Sequence, residues 1–225
     1  MKIRRKPDWL KVKISNGEHF SQVKKLVEEN NLHTICVSGK CPNISDCWSR
    51  GTATLMILGD VCTRACKFCA TKTGKPLDVD ENEPVKIART VNILKLKHVV
   101  ITSVDRDDLP DYGASHWAKT IEKVKSLNPD TIVEVLVPDF QGISEFLKIV
   151  TDAKPDIISH NIETVERLTP LIRSKADYKT SMQVLSFFAS QGLKTKSGCM
   201  LGLGETYNEV LQTIKDMYAN GCTIL

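Results

Sequence analysis

The sequence predicts an α/β protein built around a parallel β-sheet, either open or closed into a barrel. Three observations predict it. Short apolar runs rich in β-branched residues recur along the chain, helical patterns lie between them, and the spacing between runs is long enough for a crossover helix. A chain of 225 residues is also long enough to bury one sizeable core.

The first predicted strand covers residues 53–58 and ends at Gly59-Asp60, directly before a group of cysteines. Four further strands are predicted at 99–102, 131–136, 156–159 and 198–201. Helices are predicted at 83–96, 114–127, 143–152, 176–191 and 206–219. A sixth strand begins at 222–225, and we expect a chain that is truncated in mid-strand, because a complete domain seldom ends on an unpaired apolar run.

Residues 1–50 lack this alternation. We predict that they form an N-terminal extension with its own cysteines, and that residues 51–225 form the main domain, which lacks its C-terminal end. Residues 1–13 carry the basic excess, which either contacts an acidic partner or forms a solvated tail. The basic side chains are Lys2, Arg4, Arg5, Lys6, Lys11 and Lys13.

The charge balance and hydropathy exclude several classes of protein. Lys and Arg total 31 against 27 for Asp and Glu, so the net charge of +4 is too small to indicate a nucleic-acid-binding protein. No apolar run approaches the length of a membrane span, and no apolar segment follows the charged start as in a signal peptide. We therefore expect a cytoplasmic protein without a membrane partner.

Six of the eight cysteines fall between positions 36 and 69. In a reducing compartment such cysteines are more often metal ligands or catalytic groups than disulfides. Cys62, Cys66 and Cys69 are separated by three and two residues, on the loop after the first strand. Three thiolates can fill three corners of a [4Fe–4S] cluster and leave one iron open to an outside ligand. The alternatives are a zinc site with a distant fourth ligand and buried free thiols.

This spacing, with Phe68 before the last cysteine, resembles the radical S-adenosylmethionine (SAM) superfamily. The resemblance implies a partial TIM-type (β/α)6 barrel. It also implies that Cys62, Cys66 and Cys69 hold a catalytic [4Fe–4S] cluster whose open iron binds SAM, and that an electron from the cluster cleaves SAM to a 5′-deoxyadenosyl radical. That radical abstracts hydrogen from an unactivated carbon.

A second triad lies upstream, at Cys36, Cys41 and Cys47, separated by four and five residues. A structural zinc site is the alternative for an isolated loop of this kind, although no histidine is placed as an obvious fourth ligand and His33 is the nearest. Beside the first triad, a second iron–sulfur cluster is the better interpretation.

The two triads together resemble the lipoyl synthase family, and the likeness extends over nearly the whole chain. The stretches that carry it are 51–54, 59–64, 102–109, 138–140, 160–164, 195–198 and 201–206. The resemblance implies insertion of two sulfur atoms at C6 and C8 of an octanoyl chain on a lysine of a carrier protein. Two SAM molecules are used per product, and a second [4Fe–4S] cluster on Cys36, Cys41 and Cys47 is the sulfur source.

The implied partners are octanoylated carrier proteins, namely lipoyl domains of 2-oxoacid dehydrogenase E2 subunits and the glycine cleavage H protein. A reduced ferredoxin or flavodoxin is the implied electron donor. The family completes its auxiliary cluster with a serine from an Arg-Ser-Ser-Tyr stretch, and this sequence contains no such stretch.

Polar loops after the strands are candidate SAM contacts. The superfamily resemblance implies that Thr102, Ser103 and Asp105 contact the methionyl amino group. The alternative is an exposed turn that is rich in capping residues. Asn161 and Glu163 can bind ribose hydroxyls, or cap a helix. Gly202 and Gly204 can let the backbone approach the adenine, or they can serve the strand-to-helix turn alone. Phe68 is the remaining predicted cofactor contact.

Two other functions compete with a radical sulfurtransferase. One is a non-catalytic module whose cysteine triads hold structural zinc. The other is radical chemistry on a different substrate, as in biotin synthase, which the first triad alone permits. The upstream triad at Cys36, Cys41 and Cys47 argues against the second alternative.

Overall fold

The computed structural model describes residues 18–50 and 52–225. The basic N-terminal cluster of residues 1–13 and Gly51 therefore lie outside the described residues. The strands are β1 (His33–Thr34), β2 (Thr54–Ile57), β3 (Val61–Cys62), β4 (Lys72–Thr73), β5 (His98–Ser103), β6 (Ile132–Leu136), β7 (Ile157–Ser159) and β8 (Lys194–Lys196).

The helices alternate with the strands of the main sheet. They are α1 (Glu18–Glu29), α2 (Ile35–Ser38), α3 (Ile44–Ser49), α4 (Glu83–Ile93), α5 (Ala114–Leu127), α6 (Ser144–Asp152), α7 (Thr169–Ile172), α8 (Tyr178–Ser190) and α9 (Tyr207–Ala219). All five predicted helices are present, with ends that differ by at most three residues from the prediction. Thr206 begins α9 with a reciprocal capping box to Glu209, which explains the sharp start of that helix.

The main sheet has the strand order β1-β2-β5-β6-β7-β8. The edge strand β1 is antiparallel to β2, and the other neighbours are parallel. Each parallel step is connected by a helix-containing crossover, as short parallel strands require. The parallel α/β prediction is therefore confirmed. In the predicted sixth strand, at 222–225, Ile224 forms one parallel bridge with Lys196 of β8.

The core lies between the sheet and its helices. Alternate residues of β5 and β6, such as Ile101 and Val135, are fully buried on the helix side, where Trp117 and Ile121 of α5 are also fully buried. Burial of each such apolar side chain stabilises the fold by roughly 1.5–3 kcal/mol. The extension contributes to the same core through Phe20, whose ring centroid lies 5.4 Å from that of Trp48.

The fifth strand differs from the prediction. The sheet uses Lys194–Lys196, whereas the apolar run at 198–201 forms a loop in which Cys199 makes one bridge to Glu163. The central Thr195 is fully buried between two lysines, so the strand has a period-two pattern without an apolar run. Leu201 is 69% exposed, which shows that its hydrophobicity does not mark a buried strand.

Candidate active site

A cavity of about 320 Å³ opens at the carboxyl ends of β2, β5, β6 and β7. This edge is where parallel α/β folds gather reactive groups. Nine of the predicted site residues line it: Cys62, Cys66, Phe68, Cys69, Thr102, Ser103, Asp105, Asn161 and Glu163. These residues form three groups that are far apart in sequence, at 62–69, 102–105 and 161–163, and the parallel order of the strands brings the groups together.

The cysteine loop, residues 58–74, leaves the sheet through a strained turn. Leu58 has φ of +67° and Gly59 has φ of +95°. The amide of Leu58 donates to the buried Glu83 carboxylate at 2.8 Å, and its carbonyl accepts from Arg106 at 3.2 Å. Both backbone groups at the start of the loop are therefore anchored by other parts of the chain.

The three thiols of the first triad differ in exposure. Cys62 is buried, Cys66 is half-buried and Cys69 is exposed, and all three are free. The amide of Cys69 donates to the carbonyl of Cys66 at 3.0 Å, which turns the loop back on itself. Across residues 18–50 and 52–225, no three potential ligand side chains converge at metal-binding distance. The triad nevertheless fits an iron–sulfur cluster in its donor chemistry, because three free thiols border one cavity.

Cys62 is the most constrained of these thiols. Its sulfur accepts from the amides of Arg64 and Asp105, each at 3.4 Å, and lies 3.6 Å from the Asp105 carboxylate. Burial, followed by the charge of Asp105, raises the pKa of Cys62 to about 11. The thiol of Cys62 is therefore protonated at neutral pH, and it must lose this proton to bind a metal.

Arg64 is a central residue that the sequence interpretation did not select. Its guanidinium, 4% exposed, donates to Asp139 at 2.8 and 2.9 Å and to Asp107 at distances from 2.8 Å. Burial alone would lower the pKa of Arg64, but hydrogen bonds to Asp139 and Asp107 raise it above its ordinary value. Burial would raise the pKa of Asp139 and of Asp107, and the hydrogen bonds from Arg64 instead hold both low. The sequence feature that could have identified Arg64 is its position between Cys62 and Cys66.

The loop after β5 presents two hydroxyls with different partners. Thr102 Oγ1 donates to the carbonyl of Leu136 at 3.1 Å, so this hydroxyl links β5 to β6. Ser103 Oγ is buried at the cavity wall and has no hydrogen-bond partner among the described residues. A buried hydroxyl without a partner is costly, so Ser103 is the better candidate for a ligand contact. Burial raises the pKa of the neighbouring Asp105 carboxyl, and the nearby Arg64 opposes that rise.

The segment after β7 supplies the opposite wall. Glu163 has φ of +66°, an uncommon conformation for a residue other than glycine, and burial raises the pKa of its carboxyl. A Cβ at Gly198 would lie 3.3 Å from Asn161 Oδ1, so Gly198 allows close packing there. These constraints hold Asn161 and Glu163 at the cavity.

Two buried cationic or titratable side chains also border the cavity. His160 lies 3.0 Å from both the carbonyl of Val137 and Ser181 Oγ, and burial together with the charge of Arg173 lowers its pKa to about 4. Arg173 donates to the carbonyl of Ile162 at 3.3 Å and to Ser181 Oγ at 2.8 Å. Neither was selected from the sequence, because each reaches the site only through the tertiary fold.

Gly202 and Gly204 do not line the cavity. Their φ values are +99° and +110°, so this turn needs glycine at both positions. The Glu205 carboxylate accepts from the amides of Gly202 and Leu203 and holds the turn. The predicted adenine contact of the two glycines stays a prediction.

Among the described residues, the cavity lining does not include the upstream cysteines Cys36, Cys41 and Cys47. Cys36 is buried in α2, Cys47 is in α3, and the amide of Cys41 donates to the carbonyl of Cys36 at 3.0 Å. Ile35, the residue before Cys36, lines the cavity wall. The three free thiols fit an iron–sulfur site in donor chemistry, although their sulfurs do not converge in the part of the chain that the structure describes.

Within residues 18–50 and 52–225, the helices are too short or too polar to cross a membrane.

Comparison with known proteins identifies the family. The model of the radical SAM superfamily matches residues 56–217, and the model of the N-terminal domain of lipoyl synthase matches residues 1–41. The chain is 56% identical to the lipoyl synthase of Phocaeicola vulgatus, covering 98% of this chain and 78% of that protein. It is 54% identical to the lipoyl synthase of Treponema denticola, covering 98% and 76% respectively.

Solved structures resemble the fold at low sequence identity. Methylornithine synthase (PylB) superposes with a TM-score of 0.58 at 11% identity, covering 92% of this chain and 63% of that chain. The [FeFe]-hydrogenase maturase HydG superposes with a TM-score of 0.53 at 14% identity, covering 91% and 45%. The fold is thus the partial TIM-type barrel that the superfamily resemblance predicted, and the family match decides against a zinc module. The chain belongs to the lipoyl synthase family of the radical SAM superfamily.

Proposed function

We propose that this protein is a sulfurtransferase that inserts two sulfur atoms, at C6 and C8, into an octanoyl chain bound to a carrier-protein lysine. The observation that carries the proposal is the identity of 56% to a lipoyl synthase over 98% of the chain, which includes both cysteine triads. The saturated C6 and C8 carbons have no acidic hydrogen for a general base to remove. Radical chemistry is therefore the suitable route.

The first triad is the proposed catalytic centre. Cys62, Cys66 and Cys69 would hold a [4Fe–4S] cluster through their thiolates, and Phe68 would pack beside it. When bound, this cluster supplies the electron that converts SAM to methionine and a 5′-deoxyadenosyl radical. The protein contributes the cavity, which would limit the contact of reactive species with bulk water.

The polar walls would orient SAM. The unpartnered Ser103 hydroxyl and the Asp105 carboxylate would accept hydrogen bonds from the methionyl ammonium group. Thr102 would line the same end, although its own hydroxyl already donates to the sheet. Asn161 and Glu163 on the opposite wall would bind the ribose hydroxyls.

Two glycines complete the proposed cofactor contacts. Gly202 and Gly204 would approach the adenine with their backbone, since neither has a side chain to block it.

The second triad would provide the sulfur. Cys36, Cys41 and Cys47 would hold an auxiliary [4Fe–4S] cluster, which would supply the sulfur atoms. The position of Ile35, which precedes Cys36 and lines the cavity wall, supports a short distance between this triad and the proposed radical site. Such proximity is needed because a carbon radical must be trapped before it reacts elsewhere.

The proposed partners follow from the substrate. They are octanoylated lipoyl domains of 2-oxoacid dehydrogenase E2 subunits, the octanoylated glycine cleavage H protein, and a reduced ferredoxin or flavodoxin as electron donor. The reaction is placed in the cytoplasm, where free thiols stay reduced.

A direct assay tests the proposal. The protein is reconstituted with iron and sulfide without air, then incubated with SAM, reductant and an octanoyl-lysine peptide. Mass spectrometry is expected to detect both 5′-deoxyadenosine and a peptide that has gained two sulfur atoms. Formation of 5′-deoxyadenosine without any sulfur gain would reject sulfur insertion while retaining SAM cleavage.

A further inference from the structure

Side chains and backbone groups from other parts of the chain hold the cysteine loop at several points. Arg64, which lies between Cys62 and Cys66, places its guanidinium between Asp107 after β5 and Asp139 after β6. The distances to Asp139 are 2.8 and 2.9 Å, and the shortest to Asp107 is 2.8 Å. Arg64 therefore joins the loop to the ends of two different strands through two fork-shaped pairs.

Backbone contacts repeat this connection on the same side. Thr63 donates its amide to the carbonyl of Asp105 at 3.1 Å. The amide of Asp107 in turn donates to Thr63 Oγ1 at 3.0 Å. The residue next to Arg64 is thus paired with the same strand-end loop that receives the guanidinium.

A second segment holds the other side of the cysteine loop. The amide of Ala65 donates to Ser174 Oγ at 3.0 Å, and the amide of Lys67 donates to the carbonyl of Ile172 at 2.9 Å. Lys175 lies 3.4 Å from Asp107, so this segment also contacts the Arg64 pair. The amides of residues 63, 65 and 67 all have distant protein partners.

The charges explain why arginine is needed at position 64. Asp105, Asp107 and Asp139 bring three carboxyl groups together, and Arg64 has an ion-pair contact with each of them. Without the guanidinium, these groups would repel one another or take up protons. Lysine cannot replace it fully, because an ammonium group lacks the fork that bonds two carboxylates at once.

We propose that Arg64 is a positioning residue that fixes the cysteine loop against the ends of β5 and β6 before any cluster is bound. The inference deepens the proposed function, and it rests on that function only in assigning the loop to cluster binding. It predicts that the metal-free protein already has the loop in its ordered conformation.

Hydrogen exchange of the full chain tests this directly. The metal-free protein is prepared with a chelator without air, and exchange is followed by mass spectrometry in peptides covering 62–69. We expect the amides of Ala65 and Lys67 to exchange at least about tenfold faster in Arg64→Met than in the parent. Arg64→Lys is expected to accelerate exchange as well, since it keeps the charge but loses the fork.

A core variant provides the matched control. Ile121→Ala lies in α5, away from the loop, and lowers global stability by removing a fully buried side chain. Loop exchange in this variant is expected to match the parent, because local opening does not require global unfolding. Equal acceleration in Ile121→Ala and Arg64→Met would overturn the proposal.

The remaining outcomes are equally decisive. Parental exchange in Arg64→Met would overturn the positioning role, and parental exchange in Arg64→Lys would overturn the argument from fork geometry. After reconstitution, the electron paramagnetic resonance spectrum of the reduced cluster is expected to differ between Arg64→Met and Ile121→Ala. The exchange result is independent of sulfur insertion, so failure of the product assay would leave it standing.

Discussion

Arg64 and Asp139 form a two-bond ion pair across 75 positions of sequence, with Nη1 to Oδ2 at 2.9 Å and Nη2 to Oδ1 at 2.8 Å. Both side chains are almost completely buried, at 4% and 2% exposure. The pair joins the cysteine loop to the segment after β6, so the same contact affects both stability and the geometry of the site.

Asp139→Asn is expected to destabilise the fold by about 3 kcal/mol, because it leaves a buried guanidinium without one of its charged partners. Denaturant unfolding of the metal-free protein measures the change. Asp130→Asn at an exposed position is the control and should change stability by less than about 0.5 kcal/mol. Equal stability of the parent and Asp139→Asn would show that the pair contributes nothing net.

Cys66→Ala is expected to abolish 5′-deoxyadenosine formation, because the proposed catalytic cluster would lose one of three thiolate ligands. Chromatography of the reaction mixture measures the nucleoside. Cys222→Ala is the matched control, since Cys222 is buried in a separate apolar cluster and should be dispensable for cleavage. Cleavage at the parent rate in Cys66→Ala would refute the assignment of the triad.

Cys41→Ala is expected to separate the two activities. Cleavage of SAM should persist because the first triad is intact, whereas sulfur insertion should be lost with the auxiliary site. The two products, 5′-deoxyadenosine and the sulfur-containing peptide, are measured in one reaction. Parallel loss of both would mean that the two triads do not act as distinct sites.

Ser103→Ala is expected to leave stability within about 0.5 kcal/mol of the parent, because the Ser103 hydroxyl has no protein partner in the described structure. Affinity for SAM should fall about five- to tenfold if that hydroxyl binds the methionyl group. Equilibrium binding to the reconstituted protein measures the affinity.

Thr102→Val is the comparison variant for stability, because the hydroxyl of Thr102 has a protein partner and that of Ser103 has none in the described structure. It removes the hydrogen bond to the carbonyl of Leu136 and should cost about 1 kcal/mol of stability. Unchanged SAM affinity in Ser103→Ala would remove Ser103 from the proposed site.

His160 is expected to make the fold acid-sensitive. Its pKa is lowered from 6.5 to about 4 by burial and by Arg173, so it stays neutral in the folded state while the unfolded state takes up a proton below pH 6.5. Its contribution to stability is therefore present above pH 6.5 and is lost as pH falls towards 4. Between pH 7 and pH 5 the loss amounts to about 2 kcal/mol.

Urea unfolding at several pH values tests this dependence. His160→Gln should lower stability at pH 7 but show a shallower loss on acidification than the parent. His19→Gln, at an exposed position, is the control for replacing a histidine outside the site. A parental slope in His160→Gln would assign the acid sensitivity to other groups.

Several features were predictable because they are local in sequence. The apolar run at 53–58 predicted β2, and the residues between predicted strands carried the 3.6-residue pattern of helices such as α5. The spacing of Cys62, Cys66 and Cys69 identified the superfamily, because cluster ligation requires thiolates at short intervals. These properties depend on the periodicity of apolar residues and on the type of ligand residue, and both are visible in the order of residues along the chain.

The fifth strand and the arginine network could not be predicted in the same way. In β8 (Lys194–Lys196) only the central Thr195 is fully buried. The two flanking lysines make the segment polar in sequence, so its composition does not predict a strand. The partnership of Arg64 with Asp107 and Asp139 depends on which strand ends become adjacent in the sheet. The parallel α/β class and the two cysteine triads follow from patterns along the chain, which need no tertiary information. The pairing of buried charges depends on the fold, because these residues are distant in sequence and meet only through the three-dimensional order of the strands.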